Sequence, residues 1–216
     1  MSAKESQSKI ALNLKLLVTM FLCMLVVHVN KVASEELSIT DIDFDVDPKG
    51  QALVTITGDH PTTATCLRLL VDHSESISSG WSFLDLGTGS GVLAIAGKLL
   101  GAGKVKAFDF DGKAVEVAAL NMERNQVTDI EIFEADVFEW ENSQRFQVVV
   151  ANLFSTVLVE ALPLMAKWIE SKGRLILSGI LAEQWQEVLA KAEECGFQPV
   201  SDKKIGKWVT ASFDAP

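Results

Sequence analysis

The chain is poor in the residues that build metal centres and covalent cross-links. Its cysteines, Cys23, Cys66 and Cys195, are odd in number, far apart and without a CxxC pair, so no zinc site or disulfide framework is visible. The three histidines, His28, His60 and His73, share no ligand spacing either, and no metal is expected. Positive charge is also in deficit: 19 Lys and Arg stand against 29 Asp and Glu, a formal net charge of -10. A phosphate backbone is repelled by that average, so nucleic acid is disfavoured as a direct partner unless a local basic patch exists. A lysine-rich protein is attracted, although acid that serves only solubility fits the same total. No internal repeat or low-complexity run appears.

At 216 residues, 48% hydrophobic and 22% charged, the sequence has room for one domain with a substantial core and a short appendage. Three segments follow. In residues 1–34 a polar start with Lys4, Lys9 and Lys15 leads into LLVTMFLCMLVVHV at residues 16–29, with Val32, Ala33 and Ser34 beyond. That is the layout of a secretory signal. It is short for a spanning helix, which needs about 20 apolar residues, and extending it back to Ile10 would place Asn13 and Lys15 in the membrane. A snorkelling anchor over residues 10–29, a packed helix and a wrongly assigned start also fit the pattern. Residues 35–50 form an acidic linker ending in the turn Pro48-Lys49-Gly50. Residues 51–216 form the folded domain.

The centre of that domain is FLDLGTGSGVLAIAGKLLGAGKVKAFDFD, residues 83–111. Residues 83–86 are apolar apart from Asp85 and do not alternate, as expected for a strand buried on both faces. Gly87, Gly89 and Gly91 follow, where the backbone must turn sharply and let a ligand lie against it. Residues 92–100 carry good helix formers, and Gly101 and Gly103 supply the stop. Residues 105–108 are the next strand, with Asp109 at its carboxyl end. That is about 20 residues past the turn, where such folds place a carboxylate for ribose hydroxyls. The glycines are not spaced GxGxxG, the dinucleotide pattern that sets a helix N-terminus against a pyrophosphate. With Asp85 in the strand, the turn suits a ligand carrying a positive amino-acid end. The pattern resembles the first motif of S-adenosylmethionine-dependent methyltransferases of the seven-stranded type.

The flanking segments extend the unit. A strand is expected at residues 52–56, then a helix opening at Pro61 with His60 or Asp59 as its cap and Leu67, Leu70 and Val71 on its apolar face. For His60 and for Thr63, in the first turn, a capping role and a ligand role are equally served by the pattern. Residues 113–124 read as a helix and 130–133 as a strand. Beyond that strand Asp136, with the adjacent backbone amide of Val137, is placed to read an adenine edge or to cap a turn. Residues 146–151 are a buried strand ending at Asn152 and Leu153, where a methyl acceptor must lie if the strands surround a crevice. A helix at 157–169, a strand at 174–178, a helix at 183–194 and strands at 197–200 and 208–213 close the chain, the last two as an antiparallel hairpin around residues 204–207. Trp140, Trp168 and Trp185 read as packing residues.

Taken in order, HPTT, DLGTGSG, DFD, VVVANL and GRLILSGIL resemble the catalytic domain of the ribosomal protein L11 methyltransferase family over residues 59–213. The resemblance implies an α/β fold, a seven-stranded Rossmann-like methyltransferase sheet with helices on both faces and its last strand pair antiparallel. It implies S-adenosylmethionine as cofactor, protein amino groups as acceptors and a lysine-rich ribosomal protein as partner. The family's cofactor residues fall on Thr63, Gly87, Asp109 and Asn152, all of which the spacing had gathered at one crevice. Asp85, Gly89, Gly91, Asp136 and Val137 complete the expected cofactor set, and Asn152 and Leu153 the catalytic pair. Because this cofactor is made in the cytosol, a cytoplasmic catalytic domain is expected, membrane-associated through its first segment.

The sequence departs from the family in several places. Thr55-Ile56-Thr57-Gly58 stands where an FGTG run is usual, Thr88 where a cysteine is, and Gly112 where a proline is. The hydrophobic segment and linker stand where family members carry an N-terminal domain that grips the ribosomal substrate. Rival readings are a small-molecule N-methyltransferase and a cofactor-binding remnant without activity. A base-methylating enzyme is disfavoured, since Asn152-Leu153-Phe154-Ser155 lacks the paired prolines typical there.

Overall fold

The computed structural model describes residues 60–216, together with the backbone of β1 (Asp45–Val46) and β2 (Ala52–Leu53), which pair antiparallel with Asp45 opposite Leu53. The hydrophobic segment, most of the acidic linker, the rest of the strand expected at 52–56, and Thr55-Ile56-Thr57-Gly58 lie outside the described residues.

The main sheet comprises β3 (Ser82–Leu86), β4 (Lys104–Asp109), β5 (Ile130–Glu134), β6 (Phe146–Asn152), β7 (Ile169–Leu181), β8 (Gln198–Ile205) and β9 (Trp208–Asp214), in the order β5-β4-β3-β6-β7-β9-β8. The five strands from β5 to β7 are parallel to their neighbours, and β9 pairs antiparallel with both β7 and β8. This is the α/β class and the closing antiparallel pair that the sequence predicts. The chain winds outward through β3, β4 and β5, then returns to lay β6 on the other side of β3. Reversal of direction between β3 and β6 opens a crevice beyond their carboxyl ends, which is where an open parallel sheet binds ligands.

Among the described residues five helices cover the sheet: α1 (Pro61–Ser74), α2 (Val92–Leu99), α3 (Gly112–Arg124), α4 (Ser155–Trp168) and α5 (Trp185–Glu194). Alternate strand residues face opposite layers. Phe83, Val148, Val150 and Ile176 pack with α1 and α2, while Leu84, Leu86, Val149, Ala151 and Leu177 pack with α4 and α5. Both faces being covered explains why these strands read as unbroken apolar runs. Trp140 and Trp168 meet at 4.9 Å between ring centroids, in a group with Phe108 and Phe133, and Trp185 lies 6.2 Å from Phe213.

Two strands run longer than their sequences suggest. Ile169 is already extended where α4 ends, so it joins the sheet opposite Phe146 and β7 begins five residues early. The edge strand β8 continues to Ile205, and all eight of its residues are exposed. With no buried face, it has no alternation to recognise.

Gly97 in α2 sets how closely that helix lies on β3, because a Cβ there would stand 2.6 Å from the ring of Phe83. Alanine would gain about 1 kcal/mol of helix propensity, but overpacking a filled core costs about 1–3 kcal/mol, and Phe83 is fully buried. Gly97→Ala is therefore expected to lower stability in urea unfolding, and adding Phe83→Leu to recover part of the loss. A Gly97→Ala chain more stable than wild type would contradict this packing.

Candidate cofactor and acceptor site

A cavity of about 460 Å³ lies at the carboxyl ends of the central strands. Of the residues singled out in the sequence, Thr63, Gly87, Asp109, Asp136, Val137, Asn152 and Leu153 line it. Asp85, Gly89 and Gly91 are not among its lining residues.

The glycine turn is shaped from below. Asp85 is fully buried, and its Oδ2 accepts from Thr88 Oγ1 at 2.7 Å and from the Ala94 amide at 3.1 Å. The carboxylate thus staples the turn to the first residues of α2, while its buried Oδ1 has no hydrogen-bond partner among the described residues. Burial pushes its pKa up to about 7. The two hydrogen bonds hold it down and the negative charge of Asp109 adds to the rise. Gly87 and Thr88 both donate to the Phe108 carbonyl at 3.0 Å, tying the turn to the end of β4. Gly87 has φ +67°, and a Cβ there would run into the Leu153 side chain at 2.2 Å. Gly91 caps α2 and packs on Ala118.

Across the turn, Asp109 Oδ2 accepts from the Gly89 amide at 2.9 Å and Oδ1 from the Asp111 amide at 3.1 Å. Each carboxylate oxygen accepts two hydrogen bonds, so capacity remains for a vicinal diol. Asp136 Oδ1 accepts from the Phe138 amide at 2.9 Å, and its carbonyl accepts from Glu139 and Trp140. Asp136 therefore shapes the turn after β5 and lines the cavity at once.

On the far side, Asn152 Nδ2 donates to Thr63 Oγ1 at 3.3 Å, which joins the end of β6 to the first turn of α1. The Leu153 amide donates to the Ser178 carbonyl at 3.1 Å. Beneath them Ser178 Oγ lies 2.5 Å from Thr210 Oγ1 and 3.4 Å from the Thr62 carbonyl. Cys66, fully buried, also hydrogen-bonds Ser178, and burial pushes its thiol up to about 12, so it stays neutral. His60 is the N-cap of α1 but its side chain does not cap the helix. Its Nδ1 lies 2.6 Å from Thr62 Oγ1 and its ring stands edge-on to Trp208 at 4.8 Å. Burial, and then the Lys207 charge, hold its pKa below the usual histidine range. A neutral ring there does not repel a cationic ligand.

Several lining residues escaped the sequence reading: Phe110, Phe138, Phe154, Gly179 and Trp208. Phe110 and Phe154 are 79% and 76% exposed, which is a poor environment for a phenyl ring unless something covers it. The legible signal was a large apolar residue one or two places past a strand end, in a loop expected to be polar. Trp208 carried no such signal, because β9 reaches the crevice only through its antiparallel return beside β7.

Fold and site together define a class I methyltransferase architecture, with an acidic residue at the end of β4 and a polar residue at the end of β6. The sequence matches the family model for Ribosomal protein L11 methyltransferase (PrmA) over residues 27–215, and the chain belongs to that family. A Ribosomal protein L11 methyltransferase of Desulforapulum autotrophicum is 40% identical over 173 residues, 78% of this chain and 54% of that protein. The chain thus spans about half the length of the curated relatives it matches. The ribosomal protein L11 methylase of Lactobacillus delbrueckii subsp. bulgaricus superposes with a TM-score of 0.66 at 25% identity, over 84% of this chain and 90% of that one. The N-methyltransferase NodS of Bradyrhizobium japonicum, in complex with S-adenosyl-l-homocysteine, shares the fold at a TM-score of 0.60 and 18% identity, over 74% and 90% of the two chains.

Because the folded pKa of Asp85, about 7, exceeds its ordinary 3.8, the native state holds this proton more tightly than the unfolded chain. The resulting stability is fully present below pH 3.8 and is lost as pH rises through about 7. A gap of about three units at 1.36 kcal/mol each sets a ceiling of about 4 kcal/mol. Asp85→Asn keeps an acceptor for Thr88 and Ala94 and does not ionise. Its stability relative to wild type, from urea unfolding, should rise between pH 4 and pH 8; a difference independent of pH would contradict the assignment.

Proposed function

We propose that this chain transfers a methyl group from S-adenosylmethionine to an amino group of a protein, lysine or N-terminal. A lysine-rich ribosomal protein is the acceptor that family membership supports best. The observation that carries the reading is the convergence of Gly87, Asp109 and Asn152, from three adjacent strand ends, on one cavity. The residues fit the cofactor. Asp109 has free acceptor capacity for the ribose, the backbone at Gly89 has open space where a side chain would stand, and Asp136 lines the wall where an exocyclic amine would be read. Thr63 and Gly87 would hold the amino-acid end. When bound, the cofactor supplies an electrophilic methyl on a sulfonium.

The chain's own groups then position and desolvate the acceptor. Asn152 Oδ1 and the Leu153 carbonyl are acceptors for amine hydrogens, which directs the nitrogen lone pair into the cavity, and proximity supplies most of the acceleration. A lysine with a solution pKa of about 10.4 must first lose its proton. The apolar walls disfavour a charged amine, and so assist that loss. The net acid of the chain favours a basic partner. Residues 10–29 we read as a membrane-associated segment with the domain on the cytoplasmic side. Removing residues 1–34 should then move the protein from the membrane pellet to the supernatant, and a full-length chain found only in the supernatant would refute the association.

The functional test uses methyl-labelled S-adenosylmethionine and a fractionated cell extract that includes ribosomal proteins. Label in a protein band is expected. Asp109→Ala should weaken cofactor binding about 100-fold, because the ribose loses a charged acceptor, whereas Asn152→Ala should lower turnover more than binding. Label confined to the small-molecule fraction would replace the protein acceptor with a small amine, and unchanged methylation in both variants would overturn the residue roles.

A further inference from the structure

The buried residues of α3 are Ala118 and Asn121, and both face the glycine turn. A Cβ on Gly91 would stand 3.0 Å from the Cβ of Ala118 and 3.2 Å from its Cα, so helix and turn pack there with no room between them. Three residues on, the same face of the helix carries Asn121. It is 3% exposed, and its Nδ2 donates to the Ser90 carbonyl at 2.8 Å. Ser90 stands between Gly89 and Gly91. The Ala94 amide, which would meet that carbonyl in a helix begun one residue earlier, goes to Asp85 Oδ2 instead. A carbonyl only accepts, so the amide nitrogen of Asn121 must face it, and Asn121 Oδ1 is left buried with no hydrogen-bond partner among the described residues. A buried acceptor without a donor is costly, and a leucine of similar size would avoid that cost. Packing alone therefore does not account for an amide at this position.

The contact closes a ring. Asp109 accepts from the Gly89 amide through Oδ2 and from the Asp111 amide through Oδ1. Asp111 is the N-cap of α3 and accepts from the Lys113 amide at 2.9 Å. The helix then runs back to Asn121, which holds Ser90, the neighbour of Gly89. We propose that Asn121 is a positioning residue for the cofactor. It is not among the cavity-lining residues. It acts by holding the Ser90 peptide so that the Gly89 amide stays on Asp109 and the carboxylate keeps its remaining acceptor capacity toward the ribose. This inference rests on the cofactor reading above and adds a group that sets the turn from the side of α3.

The test uses the full chain, S-adenosylhomocysteine for binding, urea unfolding for stability and amide hydrogen exchange for the turn. Asn121→Leu removes the donor and the unpaired oxygen with little change in volume. It should bind S-adenosylhomocysteine about tenfold more weakly than wild type, the scale of one net hydrogen bond. Amide exchange over residues 87–94 should rise about tenfold while β3 and β6 exchange as in wild type, since the opening is local. Asn125→Ala is the control. Asn125 Nδ2 donates to the Asn121 carbonyl at 2.7 Å, so this substitution weakens the end of α3 without touching the turn, and affinity should stay within about threefold of wild type. Where urea unfolding shows that the leucine variant does not fold, Asn121→Ser withdraws the donor from Ser90 with less bulk and carries the same expectations. Affinity of the folded Asn121 variant within threefold of wild type overturns the role. An equal loss in Asn125→Ala makes the effect one of helix stability and also overturns it, as does exchange that rises alike in the turn and in the central strands. Failure of the wild-type chain to bind S-adenosylhomocysteine would instead overturn the cofactor reading, and the positioning role with it.

Discussion

An ionised carboxylate removed from water is expensive unless the protein returns its hydrogen bonds, and Asp85 receives only part of that return. Thr88 and Ala94 reach Oδ2, no described residue reaches Oδ1, and the group is left with a pKa of about 7. What the fold obtains in exchange is a fixed geometry for the glycine turn. Asp85 holds the turn to the start of α2, Gly87 and Thr88 are tied to the Phe108 carbonyl, and the Gly89 amide reaches Asp109. The carboxylate of Asp109 is thereby set relative to the turn, and the turn relative to Leu153. The site therefore inherits its precision from a buried acid beneath the turn that is not among the cavity-lining residues.

The sheet register does the remaining placement. Leu86 is opposite Phe108 on one side and Ala151 on the other, and Asn152 is opposite Ser178. Parallel strands that end in step deliver a carboxylate, a bare turn and an amide side chain to one rim without any long loop. The reversal between β3 and β6 separates the labour: β4 and β5 supply the side suited to a nucleoside, while β6, β7 and α1 supply the side suited to an amine. The hydroxyls of Ser178 and Thr210, with the Thr62 carbonyl, lock the second side from below.

How much of this was legible in the sequence depended on whether a feature was local. Helices, buried strands and the glycine turn follow from periodicity and composition, and Asp109 and Asn152 follow from standing at strand ends. Asp85 was read as facing a ligand because its chemistry suits one. In the structure it is fully buried and bonded to Thr88 and Ala94, which the sequence could not reveal because only three-dimensional packing decides which way a strand residue points. Trp208 comes from β9, whose approach to the crevice depends on an antiparallel return beside β7, and Gly179 from β7, which reaches the crevice by pairing with β6. Edge strand β8 was only half visible, since a strand exposed on both faces leaves no hydrophobic signature. Phe110 and Phe154 were missed for the opposite reason: they are apolar where a loop is expected to be polar, and only the cavity beside them gives that a meaning.

The central claim, that the rim formed by β3, β4 and β6 is one cofactor site with an amine seat beside it, is tested most directly by a crystal structure of the chain with S-adenosylhomocysteine. The account predicts ribose hydroxyls on Asp109, the homocysteine end against Gly87 and Thr63, and the sulfur facing the Asn152 side of the cavity. A ligand bound elsewhere, or in this cavity with its sulfur turned away from Asn152 toward Asp136, would contradict it.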